Sequence, residues 1–171
     1  IMRRVLVTSQ VAFALMLLIG AGVLLASFER VLTIDPGFRP ENVLTGTISM
    51  PASRYKDDAA LRTTTDRILE RIRAVPGVEG AGLTTTIPFS GSYSDSVILA
   101  EGYQMKPGES LISPGQVVAS DGYFEAMGTT LVAGRYFTAD DTEGRPQVII
   151  IDSRLANRFW ANGDAVGKRM Y

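Results

Sequence analysis

Neither cysteine nor histidine occurs in the 171-residue chain. Without thiols there are no disulfides and no thiolate nucleophile; without imidazole, the usual zinc sites and every histidine-based triad or dyad are excluded. An excess of charge is lacking too: 17 basic and 18 acidic side chains leave a net charge of -1. No basic field exists to gather phosphate backbones, so a nucleic-acid partner is not expected. No repeat of fixed period is visible. What is present is 46% hydrophobic residues, 17 glycines and 8 prolines. That length suits one domain with a real core, together with an appendage.

The appendage is plain to read. Between Arg4 and Glu29 there is no charged side chain, and the run VLVTSQVAFALMLLIGAGVLLASF fills Val5 to Phe28. As a helix it spans about 36 Å at ~1.5 Å per residue, enough to cross a hydrocarbon core of about 30 Å. A signal peptide would have a shorter apolar core and a small-residue cleavage site, which Glu29-Arg30-Val31-Leu32 does not offer. A soluble core helix would carry a polar stripe, absent from the second half of this run. The segment is read as a membrane span. Arg3 and Arg4 place its N-terminal end in the cytoplasm and residue 29 onward outside. Gly22 and Ala26 have small-xxx-small spacing, making them candidates for packing against a partner helix, although both residue types are common in membrane helices. Val31, Leu32 and Ile34 carry the apolar pattern onward as a stalk, until Asp35-Pro36-Gly37 stops it. The expected division is therefore a transmembrane and stalk helix over 1–34 and an extracytoplasmic domain over 35–171. Ile1 is not a start residue and Tyr171 falls inside an expected strand, as in a piece of a longer polypeptide.

All 18 acidic and 15 of the 17 basic residues lie from Glu29 onward. Val43 to Met50 alternates, with Leu44, Ile48 and Met50 on one face and Thr45, Thr47 and Ser49 on the other, the pattern of a half-buried strand. A helix begins at Asp57 or Asp58, with Leu61, Ile68, Ile72 and Val75 forming its stripe, Leu69 widening it, and Pro76-Gly77 ending it. Val78 to Thr86 reads as the next strand, weakened by Gly80 and Gly82, which completes a βαβ unit. Residues 87–120 form a small β-rich insertion, with expected strands at Val97 to Gly102 and Gln116 to Ser120. A helical turn at Tyr123 to Met127, capped by Gly128, precedes an extended Thr130 to Ala133. Gln147 to Ile151 has the composition of a strand buried on both faces. Ser153 is placed to cap a helix running to about Trp160, and Asn162-Gly163 turns the chain into Val166 to Tyr171. The fold class expected is α+β: one N-terminal helix, then a domain of two βαβ-like units with the insertion between them.

Motifs for chemistry are weak. Ser53-Arg54-Tyr55-Lys56 matches S-x-x-K, and Ser94-Asp95-Ser96 faintly echoes S-D-N, but no K-T-G exists and Ser53 precedes the expected helix. A solvated strand-to-helix turn is the better reading. Gly163-x-x-x-Gly167-Lys168-Arg169 is one residue short of a P-loop and has Arg where magnesium binding needs Ser or Thr. Asp140, Asp141 and Glu143 lack the spacing of a calcium loop and read as an exposed turn. Trp160 with Phe159, and Tyr123 with Phe124, read as packing anchors. No catalytic residue, cofactor or metal ligand is assigned.

Seven segments, in this order, resemble an ABC-transporter permease of the MacB/FtsX type, specifically its MacB-like periplasmic core domain. They are the span and its exit DPGFRPENVLT, MPASRY (Met50 to Tyr55), ERIRAVPGVEGAG (Glu70 to Gly82), TTTIPFSG (Thr84 to Gly91), DGYFEAMGTTLVAGRYFT (Asp121 to Thr138) and NRFWANGDAVGKRM (Asn157 to Met170). The resemblance covers essentially the whole chain. It implies a permease component that does not hydrolyse ATP, paired with a cytoplasmic ABC ATPase subunit and with a second permease copy or half. It further implies a bacterial cytoplasmic (inner) membrane protein whose outer domain meets a periplasmic substrate or adaptor. Mechanotransmission, in which ATP-driven closure passes through stalk helices to expel substrate, is the mechanism such permeases use. Ala165 stands where the family often has Pro. The insertion is short, so docking to an outer-membrane duct is not implied. The alternative readings are a single-pass anchored binding or adaptor module and, third, an anchored serine hydrolase using Ser53 and Lys56.

Overall fold

A computed structural model describes residues 2–51, 53–55, 57–91, 94–161 and 164–171. The chain divides into two compact units, Ile1–Gly37 and Phe38–Tyr171.

The first unit is one long helix, α1, over Met2–Leu32. Its 31 residues rise about 46 Å at ~1.5 Å each. Good helix formers dominate it, and the hydroxyls near its N-terminal end fold back on the helix: Thr8 Oγ1 donates to the Arg4 carbonyl and Ser9 Oγ to that of Leu6, both at 2.9 Å. Past Leu32 the ladder tightens to three-residue bonds, from Thr33 N to Arg30 O and from Ile34 N to Val31 O. The Asp35 carboxylate then accepts from Gly37 N at 2.8 Å, and Gly37 takes φ +80. The helix thus runs past Phe28 and stops where Asp35-Pro36-Gly37 was expected to stop it.

The second unit is α+β. Helix α2, Asp58–Arg73, is capped by Asp57, whose Oδ1 accepts from Ala60 N at 2.6 Å. Its buried residue is Leu69, whereas Leu61, Ile72 and Val75 remain exposed. The contact face is therefore rotated from the expected stripe, because the segments packed on a helix, and not its periodicity alone, choose which apolar residues are covered. Strand β1, Ser94–Asp95, pairs antiparallel with β2, Gly115–Gln116. Bridges extend the pairing at Ile98–Ile112, Thr84–Ala119 and Ala100–Met170, all antiparallel. Helix α3, Tyr123–Ala126, is one turn; α4, Ser153–Phe159, follows. Asp152 and not Ser153 caps α4, its Oδ1 accepting from Leu155 N at 2.7 Å. The longer reach of a carboxylate one residue earlier wins the N-terminal amide.

The α+β class is what the structure has, with its pairings differently arranged. Among the described residues the parallel pairing of the two βαβ-like units is not formed. Val43 to Met50 and Gln147 to Ile151 make no ladder, and Leu44 is 97% exposed. The expected closing strand is present as its last residues only: Leu99 and Tyr171 exchange two backbone bonds, at 3.0 and 2.9 Å. Antiparallel partners are reached by reversing the chain, whereas a parallel pair must be assembled across a crossover. Among the described residues, Leu69, Ile98, Ala100 and Tyr123 are the buried apolar ones. The Asn162-Gly163 turn lies outside the described residues.

Candidate functional site

Two features of the chain could carry function: the apolar helix, and the polar ties on the domain that follows it. Helix α1 has no buried residue and is long and apolar enough to cross a membrane. Its side chains are apolar all round the axis between Val11 and Ala26, which is unfavourable in water and favourable in lipid. Gly20 and Gly22 face open space, with nothing within 4 Å of an added methyl. Ala26 lies one turn beyond Gly22 on an exposed helix.

On the domain, most of the polar groups of the motifs above are engaged with other side chains, and Ser53 is exposed to solvent. Ser53 sits exposed on a turn in which Pro51 O accepts from Arg54 N at 2.9 Å, five residues before α2 begins. That is a solvated position, not the start of a buried helix, and Lys56 lies outside the described residues. Asp95 accepts from Ser113 Oγ at 2.8 Å and so ties β1 to the segment opposite. Asp141 takes a two-pronged grip from Arg135, at 2.6 and 2.7 Å, plus Thr138 N at 2.8 Å. The Arg135 bonds, then the Thr138 amide, hold its carboxyl far below the usual range. Glu143 pairs with Arg62 of α2. Lys168 pairs with Asp164 at 3.4 Å, and Gly167 takes φ +78 in an ordinary turn; Gly163 lies outside the described residues.

The aromatic residues expected as anchors, Tyr123, Phe124, Phe159 and Trp160, pack. Phe159 meets Tyr103 edge-on at 4.9 Å between ring centres and Trp160 at 5.8 Å. Phe124 contacts Tyr123, Tyr136 and Phe137. Burial raises the Tyr123 phenol above its ordinary value.

Besides the Arg62–Glu143 pair, two further arginine-centred ties between distant positions have no signal in the sequence. At the end of α2, Arg73 donates to Asp121 Oδ2 (3.0 Å), to Asp121 O (3.0 Å) and to Ala81 O (2.9 Å). It thereby staples the 78–82 segment to the approach of α3, beside a cleft of about 540 Å³ lined by Glu79, Asp121 and Glu125. Gly82 makes this approach workable, because a methyl there would overlap the Tyr123 backbone. The second tie joins Arg158 to Glu109 at 3.0 Å, across 49 positions. Charged residues are common on any helix surface, so spacing alone does not show which of them will meet.

A long apolar helix followed by a small α+β domain is the layout of a domain carried on a membrane-spanning helix. The family of the MacB-like periplasmic core domain matches residues 6–171, and the chain belongs to it. With that membership comes an ABC-transporter permease context with an ATPase partner, a transporter kind of protein rather than an enzyme kind. The match takes in the helix as well as the domain, which makes the protein membrane-anchored with an extracytoplasmic domain. No curated protein and no solved structure matches the chain.

Proposed function

We propose that the chain is the membrane-anchoring and extracytoplasmic part of an ABC-transporter permease in a bacterial cytoplasmic membrane. Val5 to Phe28 spans the bilayer with its N-terminus in the cytoplasm, and Glu29 to Ile34 forms a stalk. A separate cytoplasmic ATPase hydrolyses ATP; this chain passes the resulting motion through the stalk to residues 35–171, which extrude or hand over substrate. Gly22 and Ala26 pack against a second permease copy or half. The carrying observation is one family match that runs unbroken from the apolar helix through the domain. A stiff helix suits mechanical coupling, since its backbone bonds are all internal and survive transfer from lipid to water.

The test is affinity purification of the complete permease from its own membrane, followed by ATP turnover in lipid vesicles. Co-purification of an ABC ATPase whose activity depends on the permease is the expected result. A protein that purifies alone, with no ATPase activity in any fraction that it enriches, would leave an anchored binding module instead.

A further inference from the structure

The 87–120 region is held to the C-terminal part of the domain at two places. One is backbone pairing: Leu99 N donates to Tyr171 O at 3.0 Å, Tyr171 N to Leu99 O at 2.9 Å, and Glu101 N to Arg169 O at 2.9 Å. The other is a side-chain cluster built on Glu109. Its Oε1 accepts from Tyr103 Oη at 2.8 Å and from Arg158 Nη2 of α4 at 3.0 Å, while Oε2 accepts from Lys106 N at 2.9 Å. The Tyr103 ring meets Phe159, also on α4, edge-on at 4.9 Å.

One carboxylate therefore gathers donors from its own turn, from a tyrosine six residues earlier and from a helix 49 positions later. The Lys106 amide, then the Tyr103 hydroxyl, hold the Glu109 carboxyl below its usual range, and the bond to Glu109 raises the Tyr103 phenol. The Glu109 side chain is only 16% exposed, against 70% and 79% for Glu143 and Asp164 in the looser ion pairs. Charge-assisted bonds to one carboxylate in a partly dried setting are stronger than those of open surface pairs, which contribute little. The backbone pairing reaches Arg169 and Tyr171, beyond α4, so it is the Arg158 bond and the Phe159 ring contact that join this region to α4 itself.

We propose that Tyr103, Glu109 and Arg158 form a clasp that makes the hairpin of residues 97–112, closed by the antiparallel Ile98–Ile112 bridge, move as one body with α4, so that displacement of either is carried to the other. This rests on the mechanotransmission reading above and names where the motion goes: into the hairpin.

The test uses the complete permease with its ATPase in lipid, followed by hydrogen exchange with and without ATP. Without ATP, Arg158→Ala is expected to raise exchange at the Glu109 and Lys106 amides by about three- to tenfold, the size of one partly exposed charge-assisted bond. Thr85 and Ser120, whose amides bond to Val118 and Leu83, are expected to keep their protection. With ATP, the wild type is expected to change exchange in both the 97–112 hairpin and α4, and Arg158→Ala in α4 alone. Tyr103→Phe keeps the ring on Phe159 and removes only the hydroxyl, so it gives the same pattern at reduced size in a protein that folds. A hairpin that still answers ATP in both variants overturns the clasp and leaves the transport reading standing. Exchange unchanged by ATP anywhere in 35–171 of the wild type overturns the transport reading, and with it the clasp's role in motion, whatever the ATP-free comparison gives.

Discussion

Helix α1 and the domain after it are built on opposite terms. In α1, every backbone bond between Arg4 and Leu32 is local, and all of its apolar side chains point outward. Lipid satisfies them. In the domain, the ties that fix the arrangement are distant: Arg73 to Asp121 across 48 positions and Arg158 to Glu109 across 49. A local structure tolerates most side-chain changes as long as hydropathy is kept; a structure of distant ties is lost one contact at a time.

The sharpest break of this contrast is a charge at the middle of α1. Leu18→Arg is expected to cost about 3 kcal/mol of insertion and to move most of the protein out of the membrane fraction, measured by carbonate extraction. Unchanged extraction would mean that α1 does not span. Next in size is Gly82→Ala, which drives a methyl into the Tyr123 backbone. About 1–3 kcal/mol is expected from such overpacking, read by denaturant unfolding of the detergent-solubilised protein with α1 helicity retained. Arg73→Ala follows, at about 1 kcal/mol, since its side chain is 38% exposed and water replaces part of what is lost.

A smaller effect comes from pH. The Asp141 carboxyl is held below its ordinary 3.8, so the stability it contributes is present above that value and fades as pH falls beneath it. Asp141→Asn is expected to flatten the acid side of the domain's stability curve below about pH 4 while leaving α1 unaffected. A slope identical to that of the wild type would show that the Arg135 pair is not maintained in solution. The smallest expected change is that of Gly22→Ile or Ala26→Ile, which should weaken helix association by roughly 0.5–1 kcal/mol, measured by energy transfer between labelled copies in vesicles. No change there would place the packing face elsewhere on α1.

Much of this molecule was legible residue by residue. The apolar run and its stop at Asp35-Pro36-Gly37, the start of α2 at Asp57-Asp58 and the one-turn helix at Tyr123 all follow from hydropathy, caps and glycine. Most of the misreadings have a shared cause. Val43 to Met50 and Gln147 to Ile151 have strand composition, yet a strand exists only where a partner supplies its ladder, and no composition names the partner. The same holds for Leu69 over Leu61 on α2, whereas Asp152 over Ser153 at α4 is a local choice between adjacent capping residues.

What the amino-acid order determined by itself is therefore what depends on near neighbours and on solvent: a helix too apolar for water, an α+β domain, and the family to which both belong. What the tertiary structure decided is which distant groups meet. Gly82 became a point of close approach only because Tyr123 lies against it, and Glu109 became the centre of a cluster only because α4 delivers Arg158. Contacts of that kind depend on closing long loops, whose entropy is set by the whole chain's path and not by any local pattern.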